Sequence, residues 1–226
     1  MQGANPRSIA QACISDKDCT AISCYDPPHR IGMHPGKLVL LIGPRGVCKS
    51  VILQRLRDKH PELHFPRSAT TRARRPRETD MLYRFLTDAE FDGFLAERKF
   101  LEWAQVHGGA RYGTLLDEIL PFIEQGKTVV REVDVQGFES IRSHALFSGE
   151  SPAYSLQSIF LLPESTQQLV AHITKRAPMA AEELQRRLKS MEHELTFAPL
   201  CTLQVVSREG KLHQAVAEIE RFLGRG

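Results

Sequence analysis

Residues 43–50 combine two glycines, a lysine and a serine at the spacing of a loop that encloses phosphate groups. They read Gly-Pro-Arg-Gly-Val-Cys-Lys-Ser and depart from the phosphate-binding pattern only at Cys48, where a second glycine is expected. In such a loop, backbone N–H groups turn inward toward phosphate oxygens, the lysine neutralises their charge, and the serine hydroxyl reaches Mg²⁺. The sequence therefore predicts an ATP-type polyphosphate site formed by Gly43, Gly46, Val47, Cys48, Lys49 and Ser50. The alternative is a glycine-rich turn before an ordinary helix.

Cys48 is the residue that sets this loop apart from the pattern. It places a Cβ and a sulfur atom where the backbone must approach phosphate closely. If the position requires a positive φ, only glycine adopts it without strain. If the loop needs this conformation, we therefore expect Cys48 to weaken binding of the polyphosphate ligand.

The surrounding elements predict an α/β fold. The apolar run 38–42 is typical of a buried parallel strand, and residues 51–60 form a helical pattern that ends at Pro61. Strands alternating with helices predict a mostly parallel sheet, with ligands beyond the carboxyl ends of its strands. Further strands are predicted at 81–86, 128–135, 158–162 and 202–207, and helices after the Thr87–Glu90 capping box, after Thr114, and at 165–176, 181–195 and 212–223, with a surface loop at 143–157.

Composition narrows the class of protein. The chain has 226 residues and a net charge of +3, which does not indicate a nucleic-acid or membrane partner. Five cysteines, an odd number in a chain long enough for its own core, favour a reducing, cytoplasmic setting over a disulfide framework. Residues 1–36 show little hydrophobic periodicity and are predicted to be a disordered or loosely attached extension to a domain at 37–226.

Four separated segments, in order, resemble motifs of the guanylate kinase family. Residues 68–76 resemble its Ser-x-Thr-Thr-Arg-x-x-Arg segment, and residues 100–104 its Leu-Glu-Trp-Ala segment. Residues 111–114 resemble its Tyr-Tyr-Gly-Thr turn, and residues 132–137 its Asp-x-Asp-x-Gln-Gly strand end, with Glu132 at the first aspartate. The resemblance implies a P-loop NTPase-like three-layer sandwich with a parallel core sheet, a GMP-binding lobe at about 66–118 and a helical lid at about 165–190.

The family's enzymes transfer the γ-phosphoryl group of ATP to GMP, with Mg²⁺. The resemblance implies that Ser68 and Glu102 hold the guanine edge, since a carboxylate accepts from guanine N1–H and its 2-amino group but not from adenine. It also implies that the remaining GMP contacts come from Arg72, Arg75, Tyr83, Tyr112 and Asp134, with Ser50 and Asp134 at the metal. From the residues alone, Asp134 is equally suited to capping a helix, and residues 72–77 to forming a solvated basic patch or a nuclear-import signal.

In the lid, Arg176 and Arg187 match two catalytic arginines of the family, while His172 stands at the third. The chain is also one residue shorter than the family between Glu78 and Tyr83. The resemblance thus predicts a guanylate kinase that is a monomer or dimer. The alternative is a catalytically weak binding module that uses the GMP pocket for phosphorylated protein segments.

Overall fold

The computed structural model describes residues 36–76, 78–106, 108–176 and 181–224. The strands are β1 (Lys37–Ile42), β2 (Ser68–Thr70), β3 (Tyr83–Phe85), β4 (Phe100–Gln105), β5 (Arg111–Leu115), β6 (Thr128–Glu132), β7 (Ser155–Pro163) and β8 (Leu203–Ser207). The α-helices are α1 (Lys49–Lys59), α2 (Asp88–Ala96), α3 (Leu120–Glu124), α4 (Val135–Ser143), α5 (Thr166–Arg176), α6 (Ala181–Leu195) and α7 (Leu212–Phe222), with short 3-10 turns at Leu116–Glu118 and Ala198–Leu200.

The core sheet is parallel throughout and lies between two helical layers. Its strand order is β6-β1-β7-β8. Successive side chains of a strand point to opposite faces, so Leu38 and Leu40 pack in one buried cluster with Phe138 of α4. Val39 packs in the other, with α1 and α7 residues such as Ile52. This confirms the predicted α/β sandwich with a parallel core.

A second, smaller sheet has the order β3-β2-β5-β4 and lies within residues 68–115. It is mixed, since β2 pairs parallel with β3 but antiparallel with β5. Helix α2 covers it through Phe91, which is fully buried and stacks on Phe100. The predicted capping box is confirmed: the Thr87 hydroxyl accepts from the Glu90 N–H, and the Glu90 carboxylate accepts from the Thr87 N–H.

Four predicted elements differ from the structure. The strand predicted at 128–135 ends at Glu132, because Asp134 caps a helix, α4, that begins at Val135. Thr114 does not cap a helix but lies fully buried in β5, because its β4 partner places it inside the sheet. The strand predicted at 81–86 is confined to Tyr83–Phe85, the stretch that pairs with β2, and Met81 and Leu82 are exposed. The loop predicted at 143–157 already enters β7 at Ser155.

The other predicted helices and the strand at 202–207 are confirmed within a few residues. None of the helices in the described part of the chain combines the length and apolar character needed for a membrane crossing.

Candidate active site

The loop between β1 and α1, residues 43–50 and here called the phosphate loop, depends on glycine at two positions. Gly43 has φ +147°, and a Cβ there would lie 2.5 Å from the Leu161 carbonyl oxygen of the neighbouring strand. Gly46 has φ +99°. No other residue type fits the first position without moving β7, so the chain turns tightly at the carboxyl end of β1, where Val47 packs into the core at 3% exposure.

Cys48 occupies a glycine conformation. Its φ is 61° and its ψ is 28°, in the left-handed region, at the position that immediately precedes α1. A left-handed conformation costs a residue with a Cβ roughly 1–2 kcal/mol. The positive φ considered from the sequence is thus present, and the loop keeps the shape that glycine would give it at the expense of local strain.

Lys49 is held inside the phosphate loop by neutral carbonyl groups. Its Nζ donates to the Gly43 oxygen at 2.6 Å and to the Pro44 oxygen at 3.1 Å, and lies 3.8 Å from a carboxylate oxygen of Glu132. Burial lowers the pKa of Lys49, and the neighbouring Glu132 carboxylate opposes this effect. Ser50 follows in the first turn of α1 with an exposed side chain.

Arg72 lies at the centre of a second cationic group, here called the Arg72 cluster. Its guanidinium donates to both carboxylate oxygens of Glu78, at 3.0 and 2.7 Å, and its Nε donates to the Tyr112 hydroxyl at 3.0 Å. The guanidinium also lies 5.1 Å from the centre of the Tyr83 ring. The structure therefore brings together Arg72, Tyr83 and Tyr112, three of the residues that the family resemblance implies for GMP, and their role in phosphate binding stays a prediction.

Glu78 is the anion that this cluster now binds. Its carboxylate also accepts from the Arg75 backbone N–H at 3.0 Å. Hydrogen bonds from Arg72 first, and from the Arg75 backbone second, lower the pKa of Glu78 to about 2. The Arg75 side chain is exposed beside it.

Ser68 and Glu102 lie in a separate polar group with two residues that were not selected from the sequence, Thr114 and Arg131. The Thr114 hydroxyl donates to Glu102 Oε1 at 2.5 Å, across the β4–β5 pair. The Arg131 guanidinium donates to Ser68 Oγ at 2.9 Å and lies 3.9 Å from Glu102 Oε1. We call these four residues the small-sheet pocket. Burial raises the pKa of Glu102, and the Arg131 charge opposes this effect.

The sequence does contain an indication that Arg131 is special, because it is the single cation in the buried strand predicted at 128–135. Thr114 gave a misleading signal, since threonine is common both before helices and within strands.

Asp134 follows β6, next to β1 in the sheet, and caps α4: its Oδ1 accepts from the Gly137 N–H at 2.8 Å. One of its carboxylate oxygens is thus used structurally, as the capping alternative predicted. Its other oxygen and the Ser50 hydroxyl are hard oxygen ligands of the kind that Mg²⁺ prefers, and this ion usually binds few protein groups besides phosphate and water. The donor set therefore fits magnesium.

The lid residues lie on α5 and α6. Arg187 is exposed on α6, and its Nε donates to Glu183 one turn earlier, at 2.9 Å. Arg176 is the last residue of α5, and its side chain, like that of His172, lies outside the described part of the structure. The roles of both arginines stay predictions.

Comparison with known proteins agrees with this arrangement. The family model described as guanylate kinase matches residues 35–225. A guanylate kinase of Nocardia farcinica is 42% identical over 162 residues, which cover 71% of this chain and 80% of that protein. One of Gloeobacter violaceus is 39% identical over 192 residues, or 84% of this chain and 88% of that protein.

The crystal structure of guanylate kinase from Anaplasma phagocytophilum shares the fold with a TM-score of 0.59 at 21% identity, over 83% of this chain and 84% of that one. The match of the family model over nearly all of the described residues, together with these relatives, shows that the chain belongs to the guanylate kinase family.

Proposed function

We propose that this protein is a guanylate kinase that transfers the γ-phosphoryl group of ATP to GMP, giving ADP and GDP. The observation that carries the proposal is the way strand β6 serves both halves of the site. Arg131 enters the small-sheet pocket beside Ser68 and Glu102, whereas the next residue, Glu132, lies 3.8 Å from Lys49 in the phosphate loop. Two adjacent residues of one strand thus connect the polar group around Ser68 and Glu102 to the phosphate loop.

On the donor side, the backbone of residues 43–50 and the Lys49 ammonium would hold the ATP phosphates. Ser50 and Asp134 would hold Mg²⁺, which neutralises charge on the transferred group when bound. The protein's own contribution is to place the cation of Lys49 and the loop N–H groups before the reaction begins, since phosphoryl transfer depends mainly on positioning and charge compensation.

On the acceptor side, Ser68 and Glu102 would bind the guanine edge, and the Arg72 cluster with Arg75 would bind the GMP phosphate. Arginine binds phosphate through paired, charge-assisted hydrogen bonds. Arg72 already makes this type of contact with the Glu78 carboxylate, so its guanidinium presents the required two-donor geometry.

We further propose that residues 165–190 close as a lid, with Arg176 and Arg187 supplying charge near the transferred phosphoryl group and excluding water from it. Residues 66–118 would form the GMP-binding lobe of a kinase domain at 37–226. The extension predicted at 1–36 lies, apart from Gly36, outside the described residues. A cytoplasmic monomer or dimer that binds nucleotides, rather than nucleic acid or membranes, agrees with the small net charge and the odd cysteine count.

The alternative, a binding module for phosphorylated segments, lost support once the curated relatives proved to be named guanylate kinases at 39–42% identity. A module of that kind would also have no use for Lys49 poised inside a phosphate loop.

An assay of ADP release with ATP and Mg²⁺ tests the proposal, using GMP or AMP as acceptor. We expect GMP to be used and Glu102→Gln to lower kcat/KM for GMP by about 10- to 100-fold, since the amide loses an acceptor for guanine N1–H and its 2-amino group. AMP use should change little. Glu97→Gln, at an exposed acid of the same lobe that pairs with Lys99, is the matched control and should leave both unchanged. Absence of turnover by the wild type, or equal use of AMP and GMP, would overturn the proposal.

A further inference from the structure

Arg131 is a buried cation that makes few strong hydrogen bonds or ion pairs. It follows Val130, which is 2% exposed, and only 12% of the Arg131 side chain is exposed. A buried charge is costly unless it is paired and hydrogen-bonded. Burial accordingly lowers the pKa of Arg131, which the charges of Glu102 and Glu132, followed by Tyr83 and Glu118, oppose.

The contacts of Arg131 are weak in comparison with those of another arginine in the same region. Arg67 makes three hydrogen bonds to the Glu118 carboxylate, from its backbone N–H, its Nε and a terminal nitrogen. Arg131 instead donates to the neutral Ser68 hydroxyl at 2.9 Å and to the Pro66 carbonyl oxygen at 3.5 Å, and its guanidinium lies 3.9 Å from Glu102 Oε1. Its buried Nε has no hydrogen-bond partner among the described residues. A purely structural arginine would be better paired, so the arrangement points to a role in the pocket.

The contact with Ser68 fixes the direction of one hydroxyl. Because Ser68 Oγ accepts from Arg131, its own hydrogen is left to donate outward, toward a hydrogen-bond acceptor. Guanine carries an acceptor, the 6-oxo group, next to its N1–H donor, whereas adenine carries a 6-amino donor next to an N1 acceptor. A donating Ser68 beside an accepting Glu102 therefore complements guanine and opposes adenine.

The charge of Arg131 also favours guanine over adenine, through its effect on Glu102. Four features bear on that carboxyl: its burial, the Arg131 guanidinium, the Thr114 hydroxyl and the Asp134 carboxylate. Burial and Asp134 favour the protonated form, whereas Arg131 and Thr114 favour the ionised form. A protonated Glu102 could donate to adenine N1, so loss of the guanidinium would weaken discrimination as well as GMP binding.

We propose that Arg131 is a positioning residue for purine selectivity, which orients the Ser68 hydroxyl as a donor to the 6-oxo group and keeps Glu102 as an ionised acceptor. This inference rests on the proposed guanylate kinase function and deepens it. It assigns selectivity to a residue that need not touch the substrate itself.

The test compares wild type, Arg131→Met and Arg131→Lys with GMP and AMP as acceptors between pH 6 and 9. We expect Arg131→Met to lower the GMP-to-AMP ratio of kcat/KM at least about tenfold, and to move the acidic limb of the GMP profile to higher pH. Arg131→Lys retains the charge beside Glu102 and should return the limb close to its wild-type position. Arg84→Met is the matched control, since Arg84 lies on β3, pairs with Asp117 and lies outside the pocket. This variant should leave both the GMP-to-AMP ratio and the acidic limb of the GMP profile unchanged.

Arg131→Met would contradict the inference if it lowered GMP and AMP use by the same factor with an unmoved acidic limb, because Arg131 would then serve packing alone. Should that variant fail to fold in thermal unfolding, Ser68→Ala in the wild-type and Arg131→Lys backgrounds decides. In wild type, one guanidinium nitrogen of Arg131 donates to Ser68 and another faces Glu102, and the single ammonium of Arg131→Lys cannot do both. We therefore expect Ser68→Ala to lower the GMP-to-AMP ratio less in the Arg131→Lys background than in the wild-type background. Equal losses in the two backgrounds would overturn the inference. Absence of GMP turnover by the wild type would instead refute the proposed function.

Discussion

The phosphate loop and the small sheet hold their cations in different ways. Lys49 donates to two loop carbonyls, which carry no net charge, with Glu132 further away at 3.8 Å. Beside the small sheet, Arg72 is bound directly by the Glu78 carboxylate, and Arg131 of the core strand β6 lies between Ser68 and Glu102. The first site depends on backbone conformation, and the second on charge pairing between side chains.

This difference has a consequence for ligand binding. A phosphate reaching Lys49 has to replace the contacts of two neutral carbonyl groups, while the Glu132 carboxylate lies further away, at 3.8 Å. The loop conformation decides whether the phosphate can approach. A phosphate reaching Arg72 has to replace a carboxylate that already satisfies its guanidinium. Substitutions in the loop should therefore change phosphate binding through the charge of Lys49 and the backbone conformation. Substitutions in the Arg72 cluster should change phosphate binding through the competition between paired charges.

The largest expected effect comes from the charge in the phosphate loop. Lys49→Met removes the ammonium that the loop carbonyls hold in place. Because this ammonium would stabilise charge developing in the transition state, we expect kcat to fall by roughly 10³-fold. The coupled ADP-release assay measures this. Lys59→Met, at an exposed lysine of the same helix that pairs with Glu220, should stay within about twofold of wild type. Comparable losses in both variants would show that α1 as a whole, rather than the loop cation, had been damaged.

The two sites also differ in how well the sequence predicts them. The phosphate loop is contiguous, so the spacing of Gly43, Gly46 and Lys49 was sufficient to locate it. The small-sheet pocket brings together Ser68 and Arg131, which are 63 positions apart in the chain. No local pattern records that contact. Ser68 and Glu102 could be selected only through the family resemblance, and Arg131 could not be selected in that way.

Sheet pairing also explains the error at Thr114. As a residue before an apolar segment it is suited to begin a helix, yet the β4–β5 ladder places it opposite Glu102. Register between strands is a tertiary property. The parallel core, by contrast, followed from apolar runs that need only their own length and composition to be recognised.

Backbone strain in the phosphate loop predicts the next effect. Cys48→Gly places the residue that tolerates φ 61° at that position, and we expect a net gain of about 0.5–1 kcal/mol, because the relief of strain exceeds the added entropy of the unfolded chain. The melting temperature should rise by about 2 °C, and the KM for ATP should fall.

Cys48→Ala is the matched control for this change, since it removes the sulfur atom but keeps the Cβ. It should show no gain in melting temperature. If alanine stabilised the protein as much as glycine, the sulfur atom rather than the left-handed conformation would be the source of strain.

The smallest effect concerns the paired charges of the Arg72 cluster and depends on pH. The pKa of Glu78 is lowered from 4.5 to about 2, so its folded-state value is depressed, and the stability that it contributes is present above pH 4.5 and lost as the pH falls toward 2. Glu78→Gln should therefore lower the melting temperature at pH 7, by about 2 °C for this partly buried pair, and the difference from wild type should vanish near pH 2. Asp80→Asn, at an exposed acid of the same loop that pairs with Arg74, should shift the melting temperature less. A difference between wild type and Glu78→Gln that persisted unchanged from pH 7 to pH 2 would mean that the Glu78 side chain stabilises this loop through packing, and that the cluster does not depend on its charge.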